Sequence, residues 1–295
     1  MNAEKMITVI LDPVRHGEGV AHFLSHYALT RQRPTLATLC EILAQFAKIP
    51  YENLSKIIKF NRYGDDRAQR LRLPEEVMQE HAAWRLGGTC FSLTFFLQSI
   101  LQHHDFVSYI VMGDMRAGRN LHCALIVMLD EIKYLVDPGY VLHRPLALDP
   151  ARARVFHTEH TGVELRFDPP ADSYDLFTFN RQDMKWRYRF ADRPTPLPEF
   201  GEHWQASFQR NSMHGLCLTR VSDEQLIFIH KQHMRITSLA GKRNVNLKKN
   251  YHAMIHEFFG IAPEYVERAL GALQENMQRE RETGEFIPHE NKHKI

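Results

Sequence analysis

The 295-residue chain has no apolar run approaching the roughly 20 residues that span a bilayer, so no membrane-spanning helix is expected. Nor does one sign of charge dominate. Lys and Arg number 37 against 35 Asp and Glu, a net charge of +2. No long-range field draws nucleic acid or anionic lipid, and neither is expected as a partner. Cysteine is scarce: Cys40, Cys90, Cys123 and Cys217 are scattered, with no C-x-x-C pair. That pattern argues against a disulfide framework and for free thiols in a reducing, cytoplasmic compartment. Near the N-terminus "MITVIL" has neither a basic n-region nor a small-residue cleavage site, so no secretory signal is expected. Internal repeats and low-complexity tracts are also missing. Histidine is plentiful, and His252 and His256 stand four apart on an expected helix, a zinc-compatible spacing. No third ligand follows the pattern, and Glu257 comes after the second histidine rather than between the two. The pair reads as a helix face and no metal is expected.

What is present is ordinary globular composition, 44% apolar and 24% charged. In the first hundred residues Thr35 and Thr38 precede "LCEILAQFAKI", with Leu39, Ile42, Leu43 and Phe46 spaced for one helix face and Pro50 ending the run. A further helix is expected from Cys90, burying Phe91, Phe95, Leu97, Ile100 and Leu101. From Phe106 the period changes: "FVSYIVMGDM", "LHCALIVML" and "IKYLVD" read as consecutive antiparallel strands. "LRFDP" and "DLFTFN" continue the style, and "KWRYRFADR" (185–193) reads as an amphipathic edge strand whose basic residues could face an anionic cofactor. "DRPTPLP" (192–198) follows as a linker. In the last third "LIFIH" and "MRITSL" suggest a hairpin and "YHAMIHEFFG" a helix stopped by Gly260. Pro263 opens a final helix, and the tail "HENKHKI" is expected to fray.

The stretch "RLGGTCFSLTFF" (85–96) sets two glycines before a cysteine and an apolar run. The glycines allow a tight, unusual turn, and a helix starting behind them places Cys90 at an N-terminus that favours its thiolate. A nucleophilic thiol needs a base and a group that orients the base. His122 and Asp137 are the candidates. If "LHCALIVML" and "IKYLVD" form a hairpin with an even-length turn near 129–131, paired residue numbers sum to 259 or 261. His122 then lies opposite or diagonal to Asp137 on one sheet face. An odd-length turn would separate them. Pro138 loosens the pairing just after Asp137. Taken singly, each residue has a plain reading: free cysteines are usually buried hydrophobes, and Cys40, Cys123 and Cys217 keep that reading. Cys123 turns to the sheet face away from His122.

Four stretches, taken together, resemble the arylamine N-acetyltransferases: "IPYENLSKI" (49–57), "GGTCF" (87–91), "LHCALIV" followed by "YLVDPGY", and "HEFFGI" (256–261). The resemblance implies an α+β fold of the cysteine-proteinase-like kind in three parts. These are a helical bundle over 1–104 carrying the nucleophile, an antiparallel β-barrel-like domain over 105–191 carrying the histidine and aspartate, and an α/β lid over 192–295. It implies Cys90, His122 and Asp137 as the triad of a ping-pong acyltransferase. No cofactor is bound permanently; acetyl-coenzyme A or another acyl thioester is the co-substrate, and an arylamine, hydrazine or hydroxylamine the acceptor. Gly139 and Tyr140 fall in the loop expected to touch the donor. The chain departs from the family pattern at four points. Leu86 stands where an arginine is usual (Arg85 is one place earlier), Ser92 replaces Glu or Gln, and Thr94 replaces Asn. Val141 replaces a glycine. Val141 is expected to hold φ negative, and Pro138 removes an N–H, both weakening a coenzyme A site. Carrier-bound or longer acyl donors, as in relatives that close amide bonds on carrier-bound chains, are therefore an alternative. Papain-like or transglutaminase-like chemistry and a non-catalytic binding module with a vestigial triad are the remaining readings. The first would not require "IPYENL" or "HEFFGI", and the second has no chemical need for all three of Cys90, His122 and Asp137.

Overall fold

The computed structural model describes residues 10–284 except 159, 182, 223, 239 and 240. Most of "MITVIL" and all of "HENKHKI" lie outside the described residues. Helices come first: α1 (Gly17–His26), α2 (Leu36–Phe46), α3 (Leu54–Tyr63), α4 (Pro74–Trp84) and α5 (Cys90–His103), with a two-residue strand β1 (Tyr51–Glu52) between α2 and α3. The Thr35 side chain caps α2 by accepting from the Thr38 N–H, and Leu39, Ile42, Leu43 and Phe46 are buried along one face as their spacing requires. In α5 every residue from Cys90 to Leu101 is buried, so this helix is the axis of the helical core. Phe91 stacks on Trp204 of a later helix, α6 (Leu197–Ala206), and Phe95 packs against it at a tilt, at ring distances of 6.3 and 6.0 Å.

Strands follow: β2 (Val107–Met115), β3 (Gly118–Leu129), β4 (Ile132–Val136), β5 (Leu146–Ala147), β6 (Arg154–His157), β7 (Gly162–Asp168), β8 (Ser173–Phe179) and β9 (Met184–Phe190). Among the described residues they form one antiparallel, barrel-like sheet in the order β5-β4-β3-β2-β9-β8-β7-β6. The β3–β4 turn is two residues, Asp130 and Glu131, with φ of 48° and 64°, as a type I′ hairpin turn requires. Leu125 pairs with Val136 and Leu129 with Ile132, a register sum of 261. Alternation along β3 splits two cores. Cys123, Leu125 and Val127 face the helices, whereas Ala124 and Ile126 face the barrel interior.

The edge reading of "KWRYRFADR" is corrected. β9 lies inside the sheet, paired to β8 along its length and to β2 from Gly113–Met115. That second pairing joins β2–β5 to β6–β9 in one sheet and has no local signature.

The remaining strands β10 (Cys217–Ser222), β11 (Gln225–His230), β12 (His233–Ser238) and β13 (Gly241–Asn246) form a meander whose β10 edge is taken by β1. Helix α7 (Tyr251–Phe259) stops at Gly260, φ 72°, and α8 (Pro263–Thr283) opens on Pro263. Along α3, α8 docks through a hydrogen bond from Asn276 Nδ2 to the Ile57 carbonyl (3.1 Å). No described helix is long and apolar enough to cross a membrane.

Candidate active site

Cys90 is the first residue of α5, with Thr89 at the N-cap. The opening N–H groups of a helix have no intrahelical partner, so they and the positive end of the helix point toward this thiol. The two preceding glycines serve close approach and not an unusual dihedral, which corrects the sequence reading. Neither has positive φ; Arg85, at φ 59°, makes the turn out of α4. A Cβ on Gly87 would lie 1.8 Å from the Pro50 carbonyl oxygen, and one on Gly88 2.2 Å from Ser92 Oγ. The loop is held from both sides. The Gly87 N–H donates to Glu52 Oε1 (3.3 Å), and its carbonyl accepts from Arg72 Nε (2.7 Å). Buried Arg72 thus supplies the guanidinium at the glycines, with buried Leu86 beside them. Asn53 completes the brace: its Oδ1 accepts the Cys217 N–H (2.7 Å) and its Nδ2 donates to the Gly215 carbonyl (2.9 Å). The segment "IPYENL" is therefore the clamp under the cysteine loop.

The register sum of 261 sets Asp137, one residue past β4, across from Ala124 and diagonal to His122 on the same face. His122 Nε2 shares a hydrogen bond with Asp137 Oδ2 at 2.8 Å, leaving the other ring nitrogen for Cys90. The row is buried: Cys90, His122 and Asp137 are 7%, 4% and 0% exposed. Asp137 keeps no idle oxygen. Its Oδ2 also accepts from the Tyr188 hydroxyl (2.6 Å), and its Oδ1 accepts the Tyr140 N–H (3.0 Å). The rings of Tyr188 and Tyr140 lie 4.5 and 5.1 Å from the imidazole and fix its plane. Gly139 fills the remaining gap. A Cβ there would be 2.8 Å from His122 Cε1, 2.9 Å from Cys90 Cβ and 3.3 Å from Asp137 Oδ1.

Val141 overturns an expectation. It is buried and holds φ at 55°, the left-handed conformation a glycine would take, with its N–H on the Pro138 carbonyl (3.1 Å). The loop keeps its path at the cost of strain in a β-branched residue. Of the two features expected to weaken a donor site, only the missing Pro138 N–H remains.

The charges favour an ion pair. A hydrogen bond from Cys123 holds the Cys90 thiol well below the usual thiol range against the opposing effect of burial, helped by the hydrogen bond and charge of His122 and by Lys56. Burial lowers His122, but the Asp137 charge and hydrogen bond and the Cys90 thiolate outweigh it and raise the imidazole to about 10. Burial pushes Cys123 up, so it remains a thiol and donates. Cys123 does turn away from His122 and is fully buried in the core, as its sequence reading has it, on the face α5 packs on. Lys56 is also buried, donates to Ser207 Oγ (2.6 Å) and is lowered by burial to about 7.

Cys90, His122, Gly139 and Tyr140 open onto a cavity of about 330 Å3 between the barrel and the β10–β13 sheet. Leu121, Leu142, Val163, Leu226 and Phe228 give it an apolar wall, and Lys185, Arg187, Arg235 and Lys242 a basic one. The structure brings together all five residues singled out from sequence. Tyr188, Cys123, Lys56, Glu52 and Arg72 were missed as site residues; of these only Arg72 lay outside the stretches singled out beforehand. Of the other cysteines, Cys217 lines the cavity and is pushed up to about 12 by burial. No group of three His, Cys, Asp or Glu side chains that could hold a metal occurs among the described residues. A thiol, imidazole and carboxylate in series at a helix start is the arrangement that nucleophilic acyl transfer requires.

A sequence profile described as N-acetyltransferase matches residues 35–266. A search of curated protein sequences gave no significant match. Among solved structures the chain is similar to the arylamine N-acetyltransferase from Mycobacterium abscessus, with 18% identity over 86% of this chain and 94% of that one, at a TM-score of 0.72. It is also similar to the M. marinum enzyme, with 20% identity over 87% and 97% and a TM-score of 0.70. For that from Salmonella typhimurium the values are 17% over 86% and 98%, with a TM-score of 0.69. At these identities the structural likeness carries the fold, and the profile match over most of the chain carries the family.

Proposed function

The chain belongs to the arylamine N-acetyltransferase family and is an acetyltransferase, and from that premise we propose that it carries the acyl group on Cys90 in a ping-pong reaction. In the proposed first half-reaction the Cys90 thiolate attacks the carbonyl carbon of acetyl-coenzyme A. The oxyanion is met by N–H groups at the start of α5. The C–S bond of the donor breaks, and the departing thiolate takes the proton from the His122 imidazolium. In the second half an arylamine, hydrazine or hydroxylamine attacks the Cys90 thioester. His122 accepts the amine proton, and Cys90 leaves as the thiolate beside a re-formed imidazolium. Asp137 holds the imidazole by Nε2 throughout. Gly139 and Tyr140, at the cavity wall, are proposed to contact the acyl group of the donor.

The observation that supports this reading is the buried row itself: His122 bound to Asp137 at 2.8 Å, paired with a helix-start thiol, and opening on a substrate-sized cavity. The apolar wall also favours a second donor reading, a longer or carrier-bound acyl thioester. Release of free thiol from acetyl-coenzyme A in the presence of an aromatic amine tests the proposal, with longer acyl thioesters compared under the same conditions. Amine-dependent release that Cys90→Ala abolishes is expected. Release that survives in Cys90→Ala would overturn it.

A further inference from the structure

One cation in the cavity is aimed there by a defect in the sheet. In the β8–β9 ladder Leu176 pairs with Tyr188 and Phe177 with Trp186, so Arg187 is the extra residue of a β-bulge. Bulges of this kind re-aim side chains beside sites. Here the bulge lets Tyr188 reach Asp137 while its neighbour Arg187 also reaches the cavity wall. Arg187 Nε donates to Thr178 Oγ1 at 2.6 Å, which fixes the guanidinium by one edge and leaves both Nη groups for another acceptor. Among the described residues no carboxylate pairs with it. Among the described residues the one acid lining the cavity, Asp183, lies 3.4 Å from Lys185 and 3.6 Å from Lys242 instead. Arg187 is close enough to Tyr140 for its charge to act on that hydroxyl, and the Tyr140 ring is 5.1 Å from the His122 ring. A fixed, half-buried guanidinium with no carboxylate partner among the described residues therefore lines the same cavity as the imidazole.

We propose that Arg187 selects acceptor amines that carry a carboxylate, binding the carboxylate end-on through its Nη groups while the amine points toward Cys90. A planar fork held by one edge suits a carboxylate, and in a site shielded from water the pair gains more than it would at the surface. This inference rests on the acyl-transfer reading of the same cavity.

The test compares 4-aminobenzoate with its ethyl ester, a neutral acceptor of the same ring and amine, in the wild type and in Arg187→Gln. p-Nitrophenyl acetate is the uncharged donor throughout. Loss of a charge-assisted hydrogen bond predicts that the ratio of kcat/KM for acid over ester falls about tenfold to a hundredfold in the variant. Arg187→Lys should restore part of it. The ratio cancels any general loss of folded enzyme. An unchanged ratio would overturn the assignment. Acylation that Arg187→Gln slows with acetyl-coenzyme A but not with p-nitrophenyl acetate, at an unchanged acid-to-ester ratio, would give the guanidinium to the donor phosphates instead. A wild type that acylates with neither donor refutes the acyl-transfer reading and this inference with it, an outcome distinct from a failed ratio.

Discussion

Gly139→Ala places one methyl group against three residues at once. Where a glycine has negative φ and open space, alanine is usually gained at a profit of about 0.4–1 kcal/mol, because the unfolded chain loses freedom. Gly139 has no open space. The new Cβ would stand 2.8 Å from His122 Cε1 and 2.9 Å from Cys90 Cβ. Neither neighbour is the loose end of a flexible chain. The imidazole is held by Asp137 and flanked by Tyr140 and Tyr188, and Cys90 Cβ belongs to the first turn of α5. Restoring ordinary contact requires several tenths of an ångström at two points, which spreads the thiol from the imidazole by up to about 1 Å. A displacement of that size costs about a hundredfold in rate, and overpacking costs about 1–3 kcal/mol of stability. Single-turnover acylation of Cys90 measures the first, and urea unfolding the second. A Gly139→Ala enzyme that acylates within a factor of two of the wild type, with undiminished stability, would refute the packing of this loop on the row.

Other consequences follow from the same geometry. Asp137→Asn keeps the shape of the orienting group and removes its charge. Turnover should fall by about 10⁴-fold, as in serine triads, and full retention on any amine would remove Asp137 from that role. Alkylation of Cys90 by iodoacetamide should show its inflection well below the free-thiol value of about 8.5, and a sole inflection near 8.5 would contradict the ion pair. For stability the signs are opposite. The lowered Cys90 pKa favours folding above about 8.5, an advantage lost as pH falls through its folded value. The raised His122 favours folding below about 6.5, an advantage lost as pH rises toward about 10. The two slopes cancel between about 6.5 and 8.5, so the pair's contribution should be flat there and decline from about 8.5 to 10. Urea unfolding across that range reads it. Val141→Gly loses a buried side chain but relieves the strain of φ 55°, so it should cost about 1–3 kcal/mol less than Val136→Gly in β4. Equal costs would mean that Val141 is unstrained.

What the sequence showed is what local rules encode. The run behind Cys90 is apolar at every turn and could only be a buried helix. The two residues Asp130 and Glu131 between alternating strands permitted the register that sets His122 diagonal to Asp137. Gly260 and Pro263 mark a helix stop and a helix start by backbone chemistry alone. The missed features come from elements far apart in the chain. Tyr188 meets Asp137 because β9 pairs with β2, a pairing that no local pattern announces. Arg187 reaches the cavity through a bulge that shifts the alternation by one. Cys123 was placed on the correct face, but which element covers that face is a tertiary fact. The glycines at 87 and 88 were read as dihedral devices, whereas Pro50 and Ser92 are what forbid a side chain there. Val141 defies its own propensity because its burial and the flanking hydrogen bonds outweigh the local cost.

The central claim is that Cys90, alone among Cys40, Cys90, Cys123 and Cys217, carries the acyl group between donor and amine. The direct measurement is intact mass and peptide mapping of the full chain after brief exposure to acetyl-coenzyme A, before and after an aromatic amine is added. A single acetyl group on the Cys90 peptide, discharged by the amine with formation of the amide, is the predicted result. An unmodified Cys90 in a chain that still forms the amide, or an acetyl group resident on Cys123 or Cys217 instead, would contradict it.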